Sequence, residues 1–406
     1  MQKFDLLIIG GGSAGTAAAM HSVGKKVAIA EKTQLGGMCV NEGCIPFKSF
    51  LNIVDNIEDC RKGIVGIDLI EKSFDYETIV DEVKRRIESV RKSLEFSLQN
   101  ITVYHDEAVI TDKNHAVIDN EEIEFDYLLI ATGSSPKANM SATKQLFNFT
   151  TLPQEISVIG SGITGIEAAS ILAKLGVKVT LQEKQNVICP GIPEILRKEL
   201  QIILRRNGIS VKTNCQDVPD NALWCTGSTP VLPRFLDASL CPKTDDYGCL
   251  CIDENQKTTV DNWFAAGDVC SGTPKLAYIA AYQAKRAVSI MFNLPDIPKV
   301  EPQFIPYCIF APIPLAWFGD FDNPDYKIEK KSYKAVPAAT VYDDTRGFMI
   351  TATNQNGRLC GAAICGTAAH EMIHQLLICA KYKITLKDLQ NNILTLHPVL
   401  SELLQL

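Results

Sequence analysis

Residues 36–49 read GGMCVNEGCIPFKS, two cysteines five positions apart with glycine beside them and Pro46 and Lys48 following. Three readings are open: a redox-active disulfide, part of a metal clip, or two thiols that are neighbours only in sequence. A disulfide needs Cα atoms within about 7 Å, whereas residues five apart on an ideal helix lie about 8–9 Å apart. Cys39 and Cys44 therefore join only across a distorted turn, which Gly43 and Pro46 favour. So small a ring adds only ~2 kcal/mol through loop entropy, so a bridge here points to redox chemistry rather than stability. Cys360 and Cys365 repeat the spacing. Their segment reads as a strand, where an odd separation turns the side chains to opposite faces about 16 Å apart along the chain. Spacing alone thus decides little, and zinc needs two ligands more than this stretch supplies.

The chain has 406 residues, 46% hydrophobic, enough for two or three domains. Its net charge of −7 and lack of a basic cluster argue against nucleic-acid binding. Leu6–Ile9 is the only apolar run before the first glycines, and 304–318 carries three prolines, so neither a signal peptide nor a membrane span is expected. A cytoplasmic protein is expected. Fourteen cysteines in a reducing compartment are mostly small core residues, and any disulfide among them should be transient and catalytic.

Outward from the cysteine pair, Asp5–Ile9 is apolar enough for a buried strand. Gly10, Gly12 and Gly15 then open an Ala-rich helix, and a second strand ends at Glu31. Such glycines bring helix N–H groups close to a pyrophosphate, and the acid accepts from a ribose hydroxyl. The pattern recurs with Ile156–Ile159, Gly160, Gly162, Gly165 and Glu183, so two dinucleotides are expected. Glu183 favours a free 2′-hydroxyl and hence NAD, with Lys184 leaving NADP(H) possible. Between the units, apolar residues from Ile79 to Leu98 recur at helical spacing and read as a core-packing amphipathic helix. Strands running into glycine turns are read at 125–133 and 263–268.

The set Gly36, Gly37, Cys39, Asn41, Gly43, Cys44, Pro46 and Lys48 matches GGxCxNxGCxPxK. With it the chain resembles the class I pyridine nucleotide–disulfide oxidoreductases, the family of dihydrolipoamide dehydrogenase, glutathione reductase and mercuric reductase. The resemblance extends through Ala131-Thr132-Gly133 and Gly267-Asp268 to the terminal HPVLSE of His397–Glu402. It implies an α/β fold with two Rossmann-like domains and a C-terminal α+β dimerisation domain. The expected boundaries are 1–148 and 245–299 for a split FAD domain, 149–244 for a shortened NAD(P) domain and 300–406 for the interface domain.

By the same resemblance FAD is held by Gly10, Gly12, Gly15, Glu31, Lys48, Thr132, Gly133 and Asp268, and NAD(H) by Gly160, Gly162, Gly165, Glu183 and Gly227. It makes Cys44 the flavin-facing thiolate and Cys39 the exchanging thiol. Lys48 stands near the flavin and pairs with Glu167, and a nearby ammonium favours both a thiolate and a reduced flavin. His397 and Glu402 become the acid–base dyad, supplied by the other subunit of a homodimer, since thiol exchange needs protons moved near neutral pH. The flavin carries the hard redox step.

The match frays locally. Between Val211 and Gly227 a small sheet usual in the family is missing, and Ser228 and Val231 replace its arginine and asparagine; exposed apolar surface or weaker cofactor binding could follow, but the second glycine turn is intact and nucleotide binding is expected to survive. Phe47 and Tyr278 also depart from the family pattern, in positions expected to flank the flavin. The leading expectation is an NADH-linked enzyme like dihydrolipoamide dehydrogenase acting on a small-molecule or lipoyl-domain disulfide or dithiol. A glutathione-reductase-like enzyme is the alternative, and a weakened flavoprotein serving as a binding subunit is the alternative of another class. No cysteine follows Cys379, which argues against a mercuric reductase.

Overall fold

The computed structural model describes residues 1–63 and 73–406. Part of the expected span 1–148 thus lies outside the described residues. The chain divides into two compact units: 1–50, 75–150 and 226–300 form the first, and 51–74, 151–225 and 301–406 the second.

The chain opens with β1 (Gln2–Ile9), α1 (Ser13–His21), β2 (Val27–Ala30), α2 (Gly37–Asn41), α3 (Cys44–Lys62) and α4 (Tyr76–Ser97). Short strands β3 (Thr102–Tyr104), β4 (Val109–Ile110) and β5 (His115–Ile118) lead to β6 (Glu121–Ile130), β7 (Ser134–Pro136) and α5 (Ala142–Phe147). The second unit contributes β8 (Glu155–Ile159), α6 (Ile163–Lys174), β9 (Lys178–Gln182), α7 (Glu194–Arg206), β10 (Ser210–Lys212) and β11 (Ala222–Trp224). The return to the first unit carries β12 (Ser228–Pro230), β13 (Arg234–Phe235), β14 (Trp263–Ala265) and α8 (Ala277–Met291). The last stretch holds β15 (Tyr307–Ile309), β16 (Leu315–Gly319), β17 (Lys327–Ser332), α9 (Pro337–Val341), β18 (Phe348–Thr353), β19 (Leu359–Cys365), α10 (Ala369–Lys381) and α11 (Leu386–Asn392).

In the first unit β14, β6, β1, β2 and β3 form a parallel run. Successive residues Leu6, Leu7 and Ile8 are all fully buried, so this sheet is covered on both faces, as parallel sheets normally are. Ala14 and Ala18 of α1 meet Ala280, Ala284 and Ala287 of α8 in one apolar cluster, where small side chains let the helices approach. Asp75 caps α4 by accepting from the N–H groups of Glu77 and Thr78.

The second unit holds the parallel order β10-β9-β8-β11 and, separately, the antiparallel order β15-β16-β19-β18-β17. Its parallel strands alternate buried and half-exposed residues. The half-exposed face carries Ser157, Ile159, Thr180 and Gln182 in register with Lys212, Ala222 and Trp224. Gln182 Nε2 donates to Ser157 Oγ at 3.2 Å, and Lys178 pairs with Glu155 at 3.2 Å. Beside the shortened segment Val218 and Trp224 are 42% and 38% exposed, so apolar surface does reach solvent there, while Ser157, Thr180 and Gln182 make the half-exposed sheet face mostly polar.

One correction concerns Thr340–Thr353, around which the family resemblance implies strand. Pro337 at the start of a helical turn draws Thr340 and Val341 into α9, and the strand begins only at Phe348. Cys360 and Cys365 do lie on β19, at an odd separation.

Candidate active site

The first glycine turn joins β1 to α1. A Cβ on Gly15 would overlap the Gly10 carbonyl, so only glycine lets the turn close. Glu31, at the end of β2, is buried and fully engaged: Gly11 N donates to one oxygen at 2.7 Å, and Thr33 N and Oγ1 to the other at 2.8 and 2.6 Å. Nearby, Thr132 Oγ1 donates to the Val231 carbonyl, and Val231 N to the Gly133 carbonyl at 2.9 Å. Asp268 accepts from Ser134 Oγ at 2.7 Å. A glycine turn opening a helix, an anchored acid and a second carboxylate beside a glycine turn fit a flavin dinucleotide.

The cysteine loop is built directly onto this turn. Gly36 N donates to the Gly11 carbonyl at 2.8 Å, and a Cβ on Gly37 would come within 2.8 Å of Gly12 Cα. Gly36 and Gly37 both have positive φ, +94° and +55°, a reversal that L side chains resist. One helical turn, α2, then carries Cys39 and stops at Asn41, and α3 restarts at Cys44. The break brings the two thiols into hydrogen-bond contact, and Ser13 at the start of α1 also bonds Cys39. The Cys44 contact, then burial, holds the Cys39 thiol well above the usual thiol range, while Ser13 pulls the other way. Cys44 heads a 19-residue helix, where free N–H groups favour negative charge. Lys48 follows four residues later, on the same helix face. Phe47 is buried.

Asn41 shows why this motif contains asparagine. Its Nδ2 donates to the carbonyls of Gln34, Leu35 and Gly37 at 3.4, 3.1 and 2.9 Å, folding the loop back on itself.

A cleft of roughly 570 Å³ runs between α1 and α8 from Ser13 to His21 and Lys285, with Tyr278 on its wall. Ser13 thus links the cleft to Cys39.

The second glycine turn reproduces the first. A Cβ on Gly165 would overlap the Gly160 carbonyl, and Gly162 precedes α6 with nothing within 4 Å of its Cβ direction. Ser161 N and Oγ donate to one oxygen of Glu183 at 3.0 and 2.7 Å, and Gln185 N to the other at 2.9 Å. Burial pushes the Glu183 carboxyl up, but these bonds outweigh it and hold the group below the usual carboxylate range. Glu167, on α6, is buried and accepts from Phe310 N at 3.0 Å. Gly227 groups with the first unit, its carbonyl accepting from Lys137 N at 3.0 Å.

His397 Nδ1 and Glu402 Oε1 are 2.8 Å apart, and Val399 N donates to the other Glu402 oxygen at 3.1 Å. These bonds lower the Glu402 carboxyl from its ordinary value, the His397 contact foremost. The imidazole is 65% exposed. One pattern the sequence reading passed over is His370-Glu-Met-Ile-His374, two imidazoles one turn apart on α10. Among the described residues no three His, Cys, Asp or Glu side chains are grouped to hold a metal. Nor, among them, is any helix long and apolar enough to cross a membrane.

Residues 4–218 match the family described as pyridine nucleotide-disulphide oxidoreductase, and residues 305–406 match that family's dimerisation domain. The dihydrolipoyl dehydrogenase of Geobacillus stearothermophilus is 26% identical over 446 residues, covering 98% of this chain and 94% of its own. That of Mycobacterium tuberculosis strain H37Rv is 26% identical over 457, covering 100% and 97%. Both alignments are longer than the 406-residue chain, so these relatives carry internal residues it lacks. In solved structures the fold matches LpdA from Mycobacterium tuberculosis with TM-score 0.87 at 20% identity, covering 100% of this chain and 98% of that one. It matches the HOCl-induced flavoprotein disulfide reductase RclA from Escherichia coli with TM-score 0.84 at 24% identity, covering 98% of each.

Proposed function

The chain belongs to the pyridine nucleotide–disulphide oxidoreductases, FAD-dependent enzymes that use NAD(H), and from that premise we propose that Cys39 and Cys44 form its redox disulfide. The observation that carries the reading is the contact of the two thiols across the break between α2 and α3, on the first glycine turn.

Gly10, Gly12, Gly15, Glu31, Lys48, Thr132, Gly133 and Asp268 would hold FAD, which supplies two-electron transfer when bound. Gly160, Gly162, Gly165 and Glu183 would hold NAD(H). Cys44 takes the anionic role that its place at the head of α3 favours, and Lys48 offsets that charge. Cys39 keeps its proton until exchange and then attacks, or leaves from, the external sulfur. In a homodimer, His397 of a second copy would move the proton, with Glu402 orienting its ring. Glu167, fixed by Phe310 N, lends a buried acid beside the second turn.

The substrate pair nearest this reading is dihydrolipoamide and lipoamide, given the relatives' names. A second reading, reduction of a small anionic disulfide, is favoured by the cleft from Ser13 to Lys285. Steady-state assays with NADH against lipoamide and glutathione disulfide separate them. Turnover confined to lipoamide supports the first, turnover confined to the anionic disulfide the second, and no turnover with either returns the weakened binding subunit to the lead.

A further inference from the structure

Helix α4 packs by Ile79, Val80, Val83 and Ile87, and one polar side chain on it does something else. Arg91 Nε and Nη2 both donate to Asn41 Oδ1, at 3.3 and 3.0 Å. Its Nη1 is held by Glu88 one turn back at 2.8 Å, and the side chain is 19% exposed. Asn41 thereby has every polar atom engaged: its oxygen faces the guanidinium and its nitrogen the three loop carbonyls. An amide flip would set Nδ2 against a cation and Oδ1 against carbonyls, so the guanidinium fixes which way the amide points.

We propose that Arg91 is a positioning residue for the redox pair, setting through Asn41 how readily Cys39 and Cys44 close into a disulfide. The proposal rests on the redox role assigned to those cysteines. The physical link is short. Asn41 ends α2 three residues before Cys44, and its bonds to Gln34, Leu35 and Gly37 tie that end to the segment before Cys39. Closing a disulfide requires the two Cα atoms held within a narrow range, so slack at Asn41 lowers one thiol's effective concentration at the other.

The test uses the flavin-loaded full chain in dithiol redox buffers, with the oxidised fraction of Cys39 and Cys44 read by alkylation and peptide mass spectrometry. Arg91→Met should lower the closure equilibrium about ten-fold, equal to a rise of about 30 mV in midpoint. Arg91→Lys, which keeps charge but gives up the two-pronged contact, should fall between. Asn41→Ala should match Arg91→Met, and the double variant should add little, because both remove one connection. Arg85→Met, on the same helix but paired with Glu82, is the control for general loss of helix stability. An Arg91→Met closure equilibrium within two-fold of the parent, or fully additive shifts in the double variant, overturns the proposal. Should Arg91→Met fail to fold, Arg91→Lys and Asn41→Ala carry the same criteria. If Cys39 and Cys44 never oxidise in the parent protein, the redox assignment itself fails, a result distinct from a missing Arg91 effect.

Discussion

Two glycine turns in this chain are built alike and supported differently. In each, a glycine as the third residue of the helix lets the turn close on a carbonyl, and a buried glutamate at the next strand end accepts from the turn's backbone. The first turn, however, sits on a sheet buried on both faces and is backed by the cysteine loop through Gly36 and Gly37. The second sits on a sheet with one polar, half-exposed face, and the space beside Gly162 is open. A dinucleotide turn is therefore a local device. What packs behind it decides whether it is only a binding site or the floor of a reaction centre.

The sharpest way to break that contrast is at the sulfur pair. Cys44→Ser should cut NADH-linked disulfide turnover by at least about 10³-fold while FAD stays bound. It should also shift the pH profile of Cys39 alkylation downward, since the foremost cause of its raised value is gone. Next comes the sheet interior. Leu7→Ala, at a fully buried site, should cost about 2–5 kcal/mol in denaturant unfolding, whereas Thr180→Val on the open face should stay within about 0.5 kcal/mol.

At the turns, Gly37→Ala should destabilise by about 1–3 kcal/mol and loosen FAD, because positive φ and Gly12 both oppose a methyl group. Gly162→Ala should leave the melting curve nearly unmoved yet weaken NADH binding about ten-fold, as expected where backbone must approach a pyrophosphate. The smallest effect concerns Glu402. Its folded value is depressed, so the His397 contact is intact above the ordinary carboxylate range and lost as pH falls through that lowered value. Carbon-13 titration of Glu402 should show its midpoint below that of a free glutamate, moving up in His397→Ala.

Much of this was legible along the chain because the devices are local. The cysteine motif spans 13 residues from Gly36 to Lys48, and each glycine turn reaches its acid within about 22. Even the polar second sheet was written in the strands: EISVI and KVTLQ alternate where LLII does not. Arg91 and Phe310 were not legible, since they reach partners 50 and 143 residues away and nothing in their neighbourhoods marks the contact. Thr340 and Val341 misled because β-branched residues suggest strand, while Pro337 before them starts a helix.

The central claim is that electrons from the nicotinamide reach this particular pair of sulfurs. Purified flavin-loaded protein, alkylated before and after one equivalent of NADH under anaerobic conditions, tests it by peptide mapping of all 14 cysteines. The account predicts that Cys39 and Cys44, blocked in the oxidised protein, become alkylated together while the other cysteines do not change. Reduction of the flavin with those two unchanged would contradict it.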